Sequence, residues 1–220
     1  MGVARGLVTV WLHVPPEREE EFNAWYDLEH IDQIVNIPGF ACARRYVTNQ
    51  QVPKYLAWYE TIDERVEPGP SFQYAVANPT PWSRRMRGFY GDNRQRNNYR
   101  LAVDCGTEPQ PDTPWLYLVQ TDCADAARKI EFYEWYDREH LPALARVPGV
   151  QRARRYSAAS GAPESLAAYE LTTREVFESP AWLAARAAAR TDAMRPLFAH
   201  ARRAMYRLIL PSVRPSAARG

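Results

Sequence analysis

The sequence predicts an α+β fold made of two β-α-β-β-α-β repeats in one chain. Their four-stranded antiparallel sheets would face each other, helices outside, as one pseudo-two-fold α+β barrel. Three observations carry this reading. The first is self-similarity: moved by 110 residues (131 minus 21), segment 21–60 meets 131–170 with eighteen of forty positions identical and no gap. A repeat of this kind is one structural unit whose apolar face needs a neighbour. The second is a polar stretch with three prolines and a glycine at the junction, which reads as a linker. The third is composition: 220 residues, 46% hydrophobic, 12% aromatic and a net charge of +2 are enough for a sizeable core and too apolar for disorder. The organisation is therefore a first repeat at 1–104, a linker at 105–114, a second repeat at 115–212 and a polar tail at 213–220.

The elements follow in order. Val8 to Val14 is a strand by its apolar, β-branched content, and Trp115 to Thr121 is its counterpart. Pro15 and Pro16 precede a helix over about 18–36, with acids in its first turns where the helix dipole favours them. Ile37-Pro38-Gly39 ends it, as Val147-Pro148-Gly149 does in the second repeat. Phe40 to Thr48 and Lys54 to Ile62 are strands. Ser179-Pro180 supplies an N-cap hydroxyl and a proline at the first helical position, starting a helix to about Arg190. Pro196 breaks the chain before a closing strand, Arg203 to Leu210. The first repeat is less regular here. Pro79, Pro81, Gly88 and Gly91 suggest short helical pieces before a strand at Tyr99 to Val103.

Composition also excludes. The apolar runs fall far short of the ~18 residues a membrane helix needs. The 28 basic and 26 acidic residues nearly balance, unlike a dedicated nucleic-acid binder. Cys42, Cys105 and Cys123 are odd in number and lack metal-type spacing, so they read as reduced thiols in a cytoplasmic protein. No dinucleotide or phosphate-binding glycine motif occurs, nor a G-x-S-x-G nucleophile elbow. Asp27-x-Glu29-His30 has no second histidine at i+4, so no metal site is expected. The cluster Arg84, Arg85, Arg87, Arg94, Arg96 and Arg100 is a solvated face or a site for a carboxylate-bearing substrate.

The repeated block resembles the dimeric α+β barrel superfamily, ferredoxin-like in each repeat, and most closely its EthD-like branch. The residues that carry the resemblance are Trp25-Tyr26-Asp27-x-Glu29-His30, Pro38-Gly39-Phe40 and Ala43-Arg44-Arg45-Tyr46. Their copies are Trp135 to His140, Pro148-Gly149-Val150 and Ala153 to Tyr156. The resemblance implies the barrel fold. It leaves the reaction open, because the superfamily spans cofactor-free isomerases, cyclases and oxygenases, haem enzymes and proteins without known activity.

At ~100° per residue the first helix places Trp25, Tyr26 and Glu29 on the stripe of Phe22, His30 at its edge and Asp27 beyond it. A carboxylate on an apolar stripe needs a partner or a use. Glu29 would pair with Arg44 or Arg45, and Glu139 with Arg154 or Arg155; alternatively each orients its histidine as a general base. His30 and His140 cap the helix C-terminus or move protons. The candidate catalytic set is His30, His140, Tyr26, Tyr136, Glu29 and Glu139. The candidate substrate-binding set is His13, Trp25, Arg45, Tyr46, Trp135, Arg155 and Tyr156. His13 and His200 have no counterpart and break the symmetry.

The expected function is a cofactor-independent lyase or isomerase, of cyclase, dehydratase or retro-aldol type, on a small hydrophobic, aromatic or polyketide-like molecule. It would use no cofactor and bind neither nucleic acid nor membrane. A homodimer is compatible with it. Two alternatives stand beside it: a haem-dependent oxidoreductase and a non-enzymatic hydrophobic ligand-binding protein.

Overall fold

The computed structural model describes residues 4–50, 53–90, 94–107, 110, 112–187 and 190–216. By packing, the chain divides into two units: unit 1 runs to Arg100 and regains the segment from Ile209, and unit 2 is Leu101–Leu208.

Unit 1 opens with β1 (Gly6–Leu12), buried along nearly its whole length. Helix α1 (Glu19–Trp25) carries Glu19, Glu20 and Glu21 in its first turn, as the dipole favours. A π-helical turn (Tyr26–His30) and α2 (Ile31–Val35) continue it. Then come β2 (Phe40–Val47), β3 (Tyr55–Thr61), α3 (Pro70–Ala77), α4 (Pro81–Tyr90) and β4 (Arg94–Gly106). The region expected to hold only short helical pieces forms two helices. Pro70 and Pro81 each stand at a helix start, where the missing N–H costs nothing.

Unit 2 contains β5 (Trp115–Cys123), α5 (Lys129–Trp135), a second π-helical turn (Tyr136–His140) and α6 (Leu141–Ala145). Next are β6 (Val150–Ser160), β7 (Ser165–Leu171), α7 (Pro180–Arg186), α8 (Thr191–Met194) and β8 (Phe198–Val213). Ser179 Oγ accepts from the Trp182 N–H and caps α7 as expected.

Within unit 1, β1 pairs antiparallel with β3 and β4, and β3 with β2. Within unit 2, β5 pairs antiparallel with β7 and β8, and β7 with β6. The strand order is β1-β3-β2-β8-β5-β7-β6-β4, a closed barrel.

The unit boundaries fall inside β4 and β8, whereas the sequence placed the first boundary at 104. Strand β4 carries through Gly106, into the expected linker, and β8 reaches Val213, into the expected tail. Positions 108, 109 and 111 of that linker, 217–220 of the tail, and Gly91 lie outside the described residues.

Each unit has its own core. In unit 1, Val8 and Leu12 of β1 pack with Phe22, Trp25 and Tyr26 of the helix and Tyr59 of β3. In unit 2, Tyr117 and Val119 pack with Phe132, Trp135 and Tyr136 and with Tyr169. The turns after α2 and α6 need glycine. Gly39 and Gly149 adopt φ of 98° and 92°, and an added Cβ would lie 2.6 Å from Val66 and 2.4 Å from Val176. Among the described residues no helix is long and apolar enough to cross a membrane.

Candidate functional site

The repeated motif is not a plain α-helix. At its C-terminal end the Ile31 N–H donates to the Tyr26 carbonyl and the Leu141 N–H to the Tyr136 carbonyl, five residues back. This is the π pattern, which inserts one residue into an α-helix and recurs at functional sites. It turns residues after Tyr26 away from the angles of a 3.6-residue helix. Trp25 and His30, five apart, stack with ring centroids 4.2 Å apart, and Trp135 and His140 at 4.7 Å.

The ion pairs differ from those expected, because Arg45 docks on the helix face that Asn23 and Asp27 share, four residues apart. Asp27, not Glu29, meets Arg45, and Asp137, not Glu139, meets Arg155. Arg44 and Arg154 cannot reach the helix, because successive strand residues point to opposite faces. They pair with Glu60 and Glu170 on the neighbouring strand, at 3.2 and 2.5 Å. Glu29 instead accepts from Thr80 Oγ1 at 2.6 Å and Ser83 Oγ at 3.3 Å. Glu139 pairs with the exposed Arg190 at 2.5 Å. Neither carboxylate touches its histidine.

Each unit holds a cavity between sheet and helices. The unit 1 cavity measures about 340 Å³. Val8, Val10 and Phe72 give it apolar walls, Tyr26, Tyr59 and His30 line it, and Arg87, Arg94 and Arg96 converge on it. Arg96 is paired with Glu67 at 3.2 Å. Arg87 donates to the Val76 carbonyl at 2.9 Å, and Arg94 lies over the Tyr90 ring. Among the described residues neither Arg87 nor Arg94 has a carboxylate partner, and no Asp or Glu lines the cavity. The unit 2 cavity measures about 280 Å³ and is lined by Tyr136, His140, Tyr169 and Trp182 among others.

Burial sets the protonation states. It is the main cause that holds His30 down at about 3, with the positive charges of Arg87, Arg45 and Arg94 adding to it. Burial, then Arg186, holds His140 at about 4. Both rings are neutral at physiological pH, and the remaining exposure of His30 is toward the cavity it lines. Burial raises the Tyr26, Tyr59 and Tyr169 phenols and pushes Tyr136 up to about 12. The Tyr136 and Tyr169 hydroxyls lie 3.3 Å apart. The Tyr59 hydroxyl meets no partner at hydrogen-bond distance and angle.

Of the candidate residues, Tyr26 and His30 line the first cavity and Tyr136 and His140 the second. Trp25 is buried behind His30, with its indole N–H on Ser83 Oγ at 3.1 Å. Trp135 stacks on His140. Arg45 and Arg155 are buried in their ion pairs. Tyr46 and Tyr156 share the strand face of Arg44 and Arg154, opposite the helix, and line neither cavity. His13 is half-buried and lines neither. The motif search missed Phe72, Tyr90 and the cavity role of Arg87 and Arg94. The signal was the arginine cluster, whose second reading was a site for an acidic substrate.

No protein-family model and no curated protein matches the chain. Solved structures do. An anthrone oxidase-like protein superposes with a TM-score of 0.65 at 11% identity, covering 94% of this chain and 91% of that one. A protein from Fusobacterium nucleatum, provisionally named a monooxygenase, gives a TM-score of 0.64 at 12% identity, covering 98% of both chains. A provisional chlorite dismutase gives 0.55 at 12% identity over 93% of this chain and 95% of that one. These names point to oxidation, and they overturn the expectation of a cofactor-independent lyase or isomerase. The site supplies a physical reason: neither histidine has the carboxylate partner a tuned general base needs, and both are weakly basic. The likeness is one of fold, that of the ferredoxin-like dimeric α+β barrel proteins.

Proposed function

We propose that the chain is an oxidoreductase of the oxygenase class, acting in the unit 1 cavity on a small planar phenol or enolisable aromatic ketone. The observation that carries this is the electropositive, carboxylate-free cavity: apolar walls for a ring, with Arg87 and Arg94 at its edge lacking a carboxylate partner among the described residues. Two guanidiniums beside an acidic O–H or C–H favour its ionised form, and they hold an oxyanion as it develops. His30 stays neutral and offers a ring nitrogen to the bound substrate; Tyr26 and Tyr59 bound the ring. The co-reactant is dioxygen. For an aryl methylene, two C–H bonds break and one C=O bond forms, and the second oxygen atom leaves as water with both hydrogens. Carbon gives up four electrons and dioxygen takes four.

Haem chemistry is a second oxidoreductase reading, and the residues do not fit it. A ligating histidine ordinarily donates its other ring N–H to an acceptor. The Nδ1 atoms of His30 and His140 are both buried without a partner, and the arginines lower their basicity.

The eighteen identities in forty further support reading the chain as a tandem duplication of the EthD-like kind. The odd cysteine count supports the cytoplasm as its compartment.

The test is oxygen uptake with anthrone as substrate and labelled dioxygen. Label is expected in the product carbonyl. R87Q/R94Q should lower kcat/KM by roughly 10²-fold, as for lost oxyanion donors. Turnover that is independent of dioxygen, or unchanged in R87Q/R94Q, overturns the reading.

A further inference from the structure

The second cavity carries a different set of groups. Superposed through the repeat, Trp182 stands where unit 1 has Phe72, and Arg186 where it has Val76. Unit 2 thus places an N–H donor and a cation at two positions that are hydrocarbon in unit 1.

We propose that the unit 2 cavity is a separate binding site for a small aromatic carboxylate. Its interior suits a ring. Tyr117 and Tyr169 each meet Trp182 edge-on, with centroids 5.9 and 5.2 Å apart, and Phe198 closes one side. Its rim suits an anion. Arg186 and Arg203 line it without an ion-pair partner among the described residues, while Arg195 is held by Asp192 at 3.0 Å. No Asp or Glu lines this cavity. A planar carboxylate matches a guanidinium fork two bonds at a time, which a bare hydroxyl does not.

The buried wall supplies an independent sign that a ligand belongs here. Trp182 and Thr191 are 1% and 5% exposed. Both line the cavity, and the Trp182 Nε1 and Thr191 Oγ1 atoms have no hydrogen-bond partner. The same holds for His140 Nδ1. Native interiors rarely leave three such atoms in the residues lining one cavity, and each instance asks for an explanation. The cavity of about 280 Å³ lies near the lower end of small-molecule sites, the size of a single substituted ring.

The experiment is calorimetric titration of the full chain with benzoate, and with benzyl alcohol as the uncharged analogue, neither of which is a phenol or an enolisable ketone. The carboxylate is expected to bind at least tenfold more tightly than the alcohol, and more weakly as salt is raised. R186Q/R203Q, two exposed rim positions, should lose at least tenfold in affinity for the carboxylate while R87Q/R94Q keeps it. Equal affinity for acid and alcohol, no binding at all, or loss confined to R87Q/R94Q overturns the proposal. Oxygen uptake with anthrone reads unit 1 alone, so failure there with this binding intact overturns only the oxygenase reading.

Discussion

The two π turns carry the same motif and are held differently. In unit 1 Arg45 donates to Asp27 and also to Asn23 Oδ1 at 2.7 Å, and it lies 4.2 Å from the Tyr26 ring centroid. In unit 2 Arg155 grips both oxygens of Asp137, reaches Ser157 and Ser165 only at 3.3 and 3.4 Å, and lies 4.8 Å from the Tyr133 ring centroid. Glu29 is satisfied by hydroxyls of the next helix, Glu139 by an exposed arginine. Tyr169 is tied to Tyr136, whereas Tyr59 has a bare hydroxyl. What the copies share is the frame of the turn. The other partners of Arg45 and Arg155 differ within the repeated block itself, whereas the partners of Glu29 and Glu139 come from 63–98 and 173–203, the stretches that also furnish cavity arginines.

The sharpest way to break this comparison is to remove the aspartates. D137A leaves Arg155 buried with the Tyr133 face and two long serine contacts, and should cost about 3 kcal/mol, the low end for stranding a buried charge. D27A leaves Arg45 with Asn23 and the Tyr26 face and should cost about half of that. Urea unfolding decides it, and equal losses would mean the two turns are held alike.

The histidines give a pH test. Their folded values, about 3 for His30 and about 4 for His140, lie below the ordinary histidine value of 6.5. The unfolded chain therefore binds protons first as pH falls. Stability is full above about 6.5 and declines toward the folded values, by about 1.4 kcal/mol per pH unit for each ring. Between pH 6.5 and pH 4 each histidine should remove on the order of 3 kcal/mol. The H30N and H140N variants should each flatten that decline, and H30N should still do so below pH 4, where His140 has finished titrating. A decline unchanged in both variants would show that the rings are solvated and titrate normally.

The smallest effect expected is at the tyrosines. Y169F breaks the 3.3 Å contact with Tyr136 and should cost about 1 kcal/mol. Y59F removes a hydroxyl with no partner and should be neutral or slightly stabilising. Thermal unfolding of the two variants side by side reads this directly.

The legible parts of the molecule were those fixed by local chemistry. Pro38-Gly39 and Pro148-Gly149 mark turns only glycine can make, and Ser179-Pro180 marks a capped helix start. The strand and helix order followed from the period of the repeated block. The pairing of carboxylates was not legible, because the apolar stripe singles out Glu29, whereas Arg45 docks on the neighbouring face shared by Asn23 and Asp27. The arginines of the first cavity were seen as a cluster, but their convergence depends on how α4 and β4 pack. Pro79 and Pro81 suggested only short helical pieces there, although Pro81 begins a ten-residue helix.

The route of the chain through β8 sets an order of events during synthesis. Ile209, Leu210 and Val213 pack against the unit 1 core, yet they are made after all of unit 2. Domains usually fold in the order they leave the ribosome, at ~5–20 residues per second. Here the unit translated first must wait, its apolar face short of a strand segment, until the unit translated second has been completed. Unit 1 therefore completes its core only with residues that are among the last of the chain to be made.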